Sequence, residues 1–357
     1  SDFGVLLTIL DIESGFSSAT KWSWYLLKGF VNSFRKEYSE ILLLEFGVDK
    51  PGDMDFLLSV VKPDVAVMTN IFQVHIDEGQ FKDPEDIFEE KSKLVKALKN
   101  DGKAILNVDN DFTAKLAKKG TVTFGAENEA DYMAGNIQQS IEGLSFILKH
   151  EDKKYEVLSP ILGKYQVYTI MPAIICGHLF GMTIEETIMA VRRYNLPPGR
   201  LSIISGVNDS TILDSSYNSS PAAVKEALKV LKEIAGDGRK VAVLGTMNEL
   251  GKESENLHKI IGGIVPEYAD VLITVGDQAE IIAETARGKN MKEVHSFKTS
   301  DEAAKFFREK VKKNDLILAK GSQNNVRLER FVKALMAHPE DAKELLVRQE
   351  KIWQARL

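Results

Sequence analysis

The sequence predicts an α/β protein built as two consecutive units, each around a mostly parallel sheet. Three observations carry that prediction. Short β-branched and apolar runs alternate with helical stretches along nearly the whole chain. The rhythm breaks at 131–160, where "IEGLSFILKHEDKKYEVLS" alternates apolar and polar residues around a charged turn, the mark of a small antiparallel hairpin. It breaks again at "NLPPGR" (195–200), where a double proline and a glycine stop a helix and read as a linker.

The elements follow in order. In the first half, strands are expected at "GVLLTIL" (4–10), "EILLLEF" (40–46), "DVAVMT" (64–69), "KAILNV" (103–108) and "TVTFG" (121–125). After the hairpin come helices over 164–180 and 183–194, which complete a first domain of residues 1–200. Beyond the linker, the strands "STILD", "KVAVLG", "DVLITVG" and "DLILAK" are separated by helical stretches 221–234, 255–265, 278–286, 301–312 and 323–337. A second α/β domain is therefore expected over 201–340, followed by a terminal helix over 341–357.

Composition narrows the class. The 357 residues suffice for two domains with substantial cores, and the 44% hydrophobic and 27% charged content is ordinary for a globular chain. A net charge of -6 argues against nonspecific nucleic-acid binding. No apolar run is long enough to cross a bilayer and no basic-then-apolar leader opens the chain, so a soluble cytoplasmic protein with no membrane partner is expected. The single cysteine, Cys176, has no internal partner and is expected to fill core. The chain opens at Ser1 in what reads as mid-domain sequence, so it is expected to be a fragment.

In open parallel sheets, ligands bind beyond the carboxyl ends of strands. That rule selects Glu45 after "ILLL", the loop with His75, Asp214 after "TIL", the "GTMNELG" turn and "KGS" after "LILA". Each has a plainer reading as a helix cap or a solvated loop residue. The helix after His75 says more. In "KDPEDIFEEKSKLVKALKN", Asp83 is placed as N-cap, Pro84 at the first helical position and Asp86 three residues past the cap. Helical spacing puts Ile87, Lys91, Leu94 and Leu98 on one face, with Lys93, Lys96 and Lys99 outward. Lys91 has two readings. Its stem packs while its ammonium escapes to water, or burial lowers its pKa so that the neutral amine takes up carbon dioxide as a carbamate able to bind Mg²⁺. No G-x-x-x-x-G-K-[ST] loop occurs; "GTMNELGKE" (245–253) has one residue too many, and Glu253 stands where the hydroxyl belongs.

Taken in order, these segments resemble the Mur ligase family, most closely its MurF type. "LEFGVDKPGDMDFLLSVVKPDVAVMTNIFQVHID" is similar to the family's E-x-G, P-G-[ED], P-D-x-A-x-x-T-N and histidine signatures. "EEKSKLV" falls where the family has its carbamylated lysine, and "AILNVDND" where it has an N-x-D strand end. "PPGRL" resembles the arginine motif between domains, and "LDSSYNSSP", "VAVLGTMNELGKESENLH" and "ILAKGS" resemble the C-terminal motifs.

The resemblance implies an incomplete central ATPase-type domain followed by a Rossmann-like one, with the UDP-sugar domain and P-loop upstream of Ser1. It implies an ATP- and Mg²⁺-dependent, amide-forming ligase of peptidoglycan precursor synthesis. That reaction runs through an acyl phosphate, with a UDP-muramoyl peptide and D-alanyl-D-alanine or another amine as substrates, in a monomer. By position, Glu45, His75 and carbamylated Lys91 would hold the metal. Arg200 and Lys320 would meet phosphate or the reacting carboxylate, and Asp214 and Asn70 the nucleotide. Tyr217, Asn218 and Ser322 would shape the amine side. The chain departs from the family pattern at Leu6, Lys93, Tyr165, Thr169, Ser215 and Thr246. Two alternatives stand beside the ligase: a non-catalytic relative serving as a binding or assembly module, and a folylpolyglutamate- or cyanophycin-type ligase.

Overall fold

In the first of two units, Ser1–Met133 with His150–Asp152, helices precede strands. The computed structural model describes residues 2–15, 18–35, 39–71, 81–323, 326–350 and 353. Helices α1 (Asp2–Ile9), α2 (Ala19–Asn32) and α3 (Asp53–Val60) come before strand β1 (Val65–Met68). "GVLLTIL" was expected as a strand and is α1. An uninterrupted apolar run does not by itself separate a buried strand from a helix, and here Thr8 Oγ1 donates back to the Gly4 carbonyl at 2.8 Å. "EILLLEF" is not a strand either. Residues 40–49 have no regular structure, and Leu43 is 87% exposed. β1 ends its sheet, so no described strand supplies the hydrogen-bonding neighbour this segment needs.

The remaining strands and the helix after residue 83 follow expectation, and a short helix over Asp111–Ala114 is added to them. Helix α4 (Pro84–Lys96) begins with Asp83 accepting the Asp86 N–H at 2.9 Å. Strand β2 (Lys103–Asn107), the short helix α5 (Asp111–Ala114) and strand β3 (Val122–Gly125) follow, and then strand β4 (Tyr132–Ser140). β1, β2, β3 and the start of β4 pair in parallel. Their core combines Ala66, Met68 and Leu106 of the strands with Met54 of α3 and Ile87 and Val95 of α4.

The second unit is Ala134–Lys149 with Lys153–Leu357. β4 leads through two-residue turns into strands β5 (Gly143–His150) and β6 (Lys153–Ser159), so the expected hairpin is a three-stranded meander. Helices α6 (Val167–Leu179) and α7 (Ile184–Arg192) precede the linker. The second sheet then alternates strand and helix: β7 (Ser202–Gly206), β8 (Ser210–Ser215), α8 (Pro221–Ile234), β9 (Lys240–Gly245), α9 (Ser254–Ile264), β10 (Val271–Val275) and α10 (Ala279–Gly288). It closes with β11 (Glu293–Phe297), α11 (Ser300–Arg308), β12 (Leu316–Lys320), α12 (Leu328–Leu335) and α13 (Ala342–Leu345). The strand order is β11-β10-β9-β12-β8-β7, parallel except for β7 on β8.

The sheet is buried on both faces, as a parallel sheet must be. Val241 and Val243 pack toward Phe307 and Phe331, while Ala242 and Leu244 pack toward Leu228 and Ile261. β7 and β11 were not foreseen, being short and partly polar. Of the terminal helix expected over 341–357, α13 is present and stops at the extended Leu346, Arg348 is left-handed (φ +59°), and residues 351, 352 and 354–357 lie outside the described residues.

Candidate active site

In the second unit, three loops meet at the carboxyl ends of β8, β9 and β12, tied through one serine. The Ser322 N–H donates to the Thr246 carbonyl at 3.1 Å. Its hydroxyl donates to the Ser219 carbonyl at 3.2 Å and accepts the Asn248 N–H at 2.9 Å. Ser322, expected to meet substrate, is thus the knot of the loops. His258 adds a second tie: its Nδ1 donates to the Ser254 carbonyl at 2.7 Å, leaving Nε2 to accept the Met247 N–H at 3.1 Å.

Lys320 ends β12 in register with Ser215 of β8. Its buried ammonium donates to Ser215 Oγ at 3.2 Å and to the Asn218 carbonyl at 3.0 Å. Burial lowers its pKa to about 8; the Asp214 charge pulls it back up and Arg200 pushes it further down. Asp214 is fully buried, and Oδ1 accepts the Ser216 N–H at 3.0 Å. Burial pushes its carboxyl up to about 6, the hydrogen bond from the Ser216 N–H opposing. Its Oδ2 has no partner among the described residues, and neither do the Ser216 and Ser219 hydroxyls. Buried polar groups are normally paired. Unpaired ones beside an ammonium of shifted pKa mark a place prepared for a polar ligand.

The linker enters the same corner. The Tyr217 N–H donates to the Gly199 carbonyl at 3.1 Å. Gly199 has φ +76°, and a Cβ there would stand 3.0 Å from Tyr217 N, so the motif needs glycine. The exposed Arg200 guanidinium lies 4.3 Å from the Tyr217 ring centroid, a cation–π arrangement. The side chain of the exposed Asn218 accepts the Ser219 N–H at 2.8 Å.

The first unit holds the remaining predicted residues. Asn70 accepts from Asn107 Nδ2 at 3.1 Å, so the T-N and N-x-D strand ends bond to one another. Lys91 is half-buried on α4, and burial lowers its pKa against the attraction of Asp49. Lys93 does not simply face outward: it bridges Asp55 at 2.6 Å and the buried Glu90 at 2.7 Å. Glu45 is exposed on the irregular segment instead of ending a strand. His75 lies outside the described residues. No group of three His, Cys, Asp or Glu among the described residues is placed to hold a metal.

Residues 13–177 match the model of the Mur ligase middle domain, and residues 199–323 that of the Mur ligase glutamate ligase domain. The UDP-N-acetylmuramoyl-tripeptide–D-alanyl-D-alanine ligase of Bacillus subtilis is 32% identical over 305 residues, covering 85% of this chain and 66% of that protein. The chain belongs to the Mur ligase family. This Mur ligase chain is 27% identical to the Escherichia coli ligase of the same name, over 69% of the chain and 55% of the relative. It spans little more than half to two thirds of the length of these relatives. The MurF ligase of Thermotoga maritima, solved in complex with ADP, superposes with a TM-score of 0.73 at 25% identity, over 96% of this chain and 76% of that one.

Within this Mur ligase, sequence reasoning passed over three buried charges behind the Tyr217 loop. Arg327 and Arg348 both pair with Glu329. Arg348 also donates to the carbonyls of Ser216 at 3.1 Å and Tyr217 at 2.5 Å. No local pattern marks Arg348, because the carbonyls it meets lie 132 and 131 positions away in the chain.

Proposed function

We propose that the chain belongs to an ATP-dependent ligase that joins D-alanyl-D-alanine to a UDP-N-acetylmuramoyl-tripeptide in cytoplasmic peptidoglycan precursor synthesis. One observation carries the reading: a buried ammonium, Lys320, held at the carboxyl ends of a sheet whose relatives are ligases of that name. ATP supplies the phosphoryl group that activates the substrate carboxylate as an acyl phosphate, and the amine then displaces phosphate. Both steps gather negative charge, which a pre-placed cation stabilises. With a pKa of about 8, Lys320 is charged at neutral pH and serves that role, assisted by Arg200. The open oxygen of Asp214 accepts a hydrogen bond from the nucleotide, and Asn70 is assigned to the nucleotide as well. Tyr217, Asn218 and the loop knotted by Ser322 shape the amine side.

Glu45, His75 and carbamylated Lys91 are the metal side of this reading, supported by the lowered basicity of Lys91. The domain change is assigned near residue 200, supported by the start of the second sheet at Ser202. Purified full-length protein is expected to release phosphate from ATP only when the tripeptide carboxylate and the amine are both present. Release without the amine, or none at all, would overturn the reading. Lys91→Ala is expected to cut that rate by on the order of a hundredfold, with no rescue by bicarbonate. An unchanged rate would remove Lys91 from the mechanism.

A second reading is a non-catalytic assembly module of the same fold. It is favoured by Tyr165, Thr169 and Thr246 at motif positions. Phosphate release dependent on both substrates excludes it.

A further inference from the structure

We infer that Arg348 is a positioning residue, whose fork holds the loop Ser215–Asn218 from behind so that Lys320 and Tyr217 face the reacting groups. The inference rests on the proposed ligase reading for what those groups are. The clamp itself is geometric. Three consecutive carbonyls of this loop are taken by cations: those of Ser216 and Tyr217 by Arg348, and that of Asn218 by Lys320. The loop is strung between the two side chains.

Several independent features are built around this arrangement. Arg348 is nearly buried, as are its counter-ion Glu329 and the second arginine, Arg327. Arg327 pairs with Glu329 Oε1 and donates to the Trp353 carbonyl at 2.8 Å, which fastens the returning tail. Both arginines hold left-handed backbone, φ +52° and +59°, and Leu201 after the linker arginine does so at +63°. Such strain in non-glycine residues persists only where surrounding contacts impose it, and it gathers at functional sites. The Tyr217 ring has the Arg200 guanidinium at 4.3 Å and that of Arg348 at 5.9 Å. Val347 packs at Gly199, so the tail also supports the linker. A bidentate guanidinium suits this task, because a lysine ammonium is a point charge and cannot present the same planar fork to two carbonyls.

The test uses the 357-residue chain and two variants. Arg348→Lys keeps the charge against Glu329 and removes the fork. The double variant Arg348→Met with Glu329→Gln fills the space and strands no carboxylate, so the question stays answerable if either protein folds poorly. Amide hydrogen exchange is read at Tyr217, whose N–H bonds the Gly199 carbonyl, and along the β8–β12 ladder. The Lys320 ammonium is titrated by NMR. The expected result is exchange at least about tenfold faster at Tyr217 with the ladder unchanged. The Lys320 pKa should rise from about 8 toward its ordinary 10.5 as water enters. Unchanged exchange and titration would overturn the clamp, and so would equal acceleration along the whole ladder, which reports only lost stability. Neither readout requires turnover, so a chain without ligase activity leaves the clamp standing. A failed clamp leaves substrate-dependent phosphate release as the separate test of the ligase reading.

Discussion

At the scale of single residues, the charge on Lys320 is decided by competition. Burial disfavours the ammonium, and two hydrogen bonds and the Asp214 carboxylate retain it. The resulting pKa of about 8 makes a signed prediction. Below that pH the group is a cation and stabilises developing charge; above it the amine is neutral and the stabilisation is lost. The rate at saturating amine is expected to fall roughly tenfold per pH unit on the alkaline side of that value. Lys320→Arg, charged throughout, should abolish this limb at a lower overall rate, and a limb that survives in the arginine variant belongs to another group. Strand-end position marks Lys320 and Asp214 in the sequence, since chain order alone places both beyond apolar runs. Arg348 carries no such mark. Its bond to the Ser216 carbonyl spans 132 positions, and its stretch reads as helix until the backbone turns left-handed.

At the scale of elements, legibility follows how local each signal is. The start of α4 is written in Asp83, Pro84 and Asp86, and α8 occupies the residues its periodicity marks. The runs 4–10 and 40–46 failed because an apolar run becomes a strand only beside another strand, and sequence does not say whether one is present. Glu90 shows a further limit: it reads as one more surface acid of α4, yet it is buried and caps a different helix. Its Oε1 accepts the Gly52 N–H at 3.0 Å and the Met54 N–H at 2.8 Å, satisfying the start of α3, while Oε2 meets Lys93. Glu90→Ala is therefore expected to cost about 1–3 kcal/mol in urea denaturation, because the buried Met54 amide loses its acceptor while the exposed Gly52 amide can turn to water. Glu90→Gln, which keeps an acceptor, should cost clearly less. Equal costs would mean that the side chain matters for packing and not for its bonds.

At the scale of the whole molecule, α2 is an amphipathic helix turned inside out. Its buried positions are Gly29 and Asn32, the latter donating to the Leu10 carbonyl at 2.7 Å. Trp24, Leu27 and Val31, spaced to share one face, lie exposed with Leu26 and Phe30 beside them. Ile41, Leu42 and Leu43 of the unpaired segment are exposed as well. Soluble monomers seldom leave so many large apolar side chains in water, because each costs transfer free energy that association would recover. The sequence alone suggested a monomer; the exposed face argues that the purified chain binds an apolar dye in its native state and sediments with a mass that rises with concentration. Trp24→Glu with Phe30→Glu should suppress both effects while leaving stability within about 0.5 kcal/mol, since neither side chain is buried. A single monomeric species at every concentration, with no dye bound, would show that this face is covered in solution.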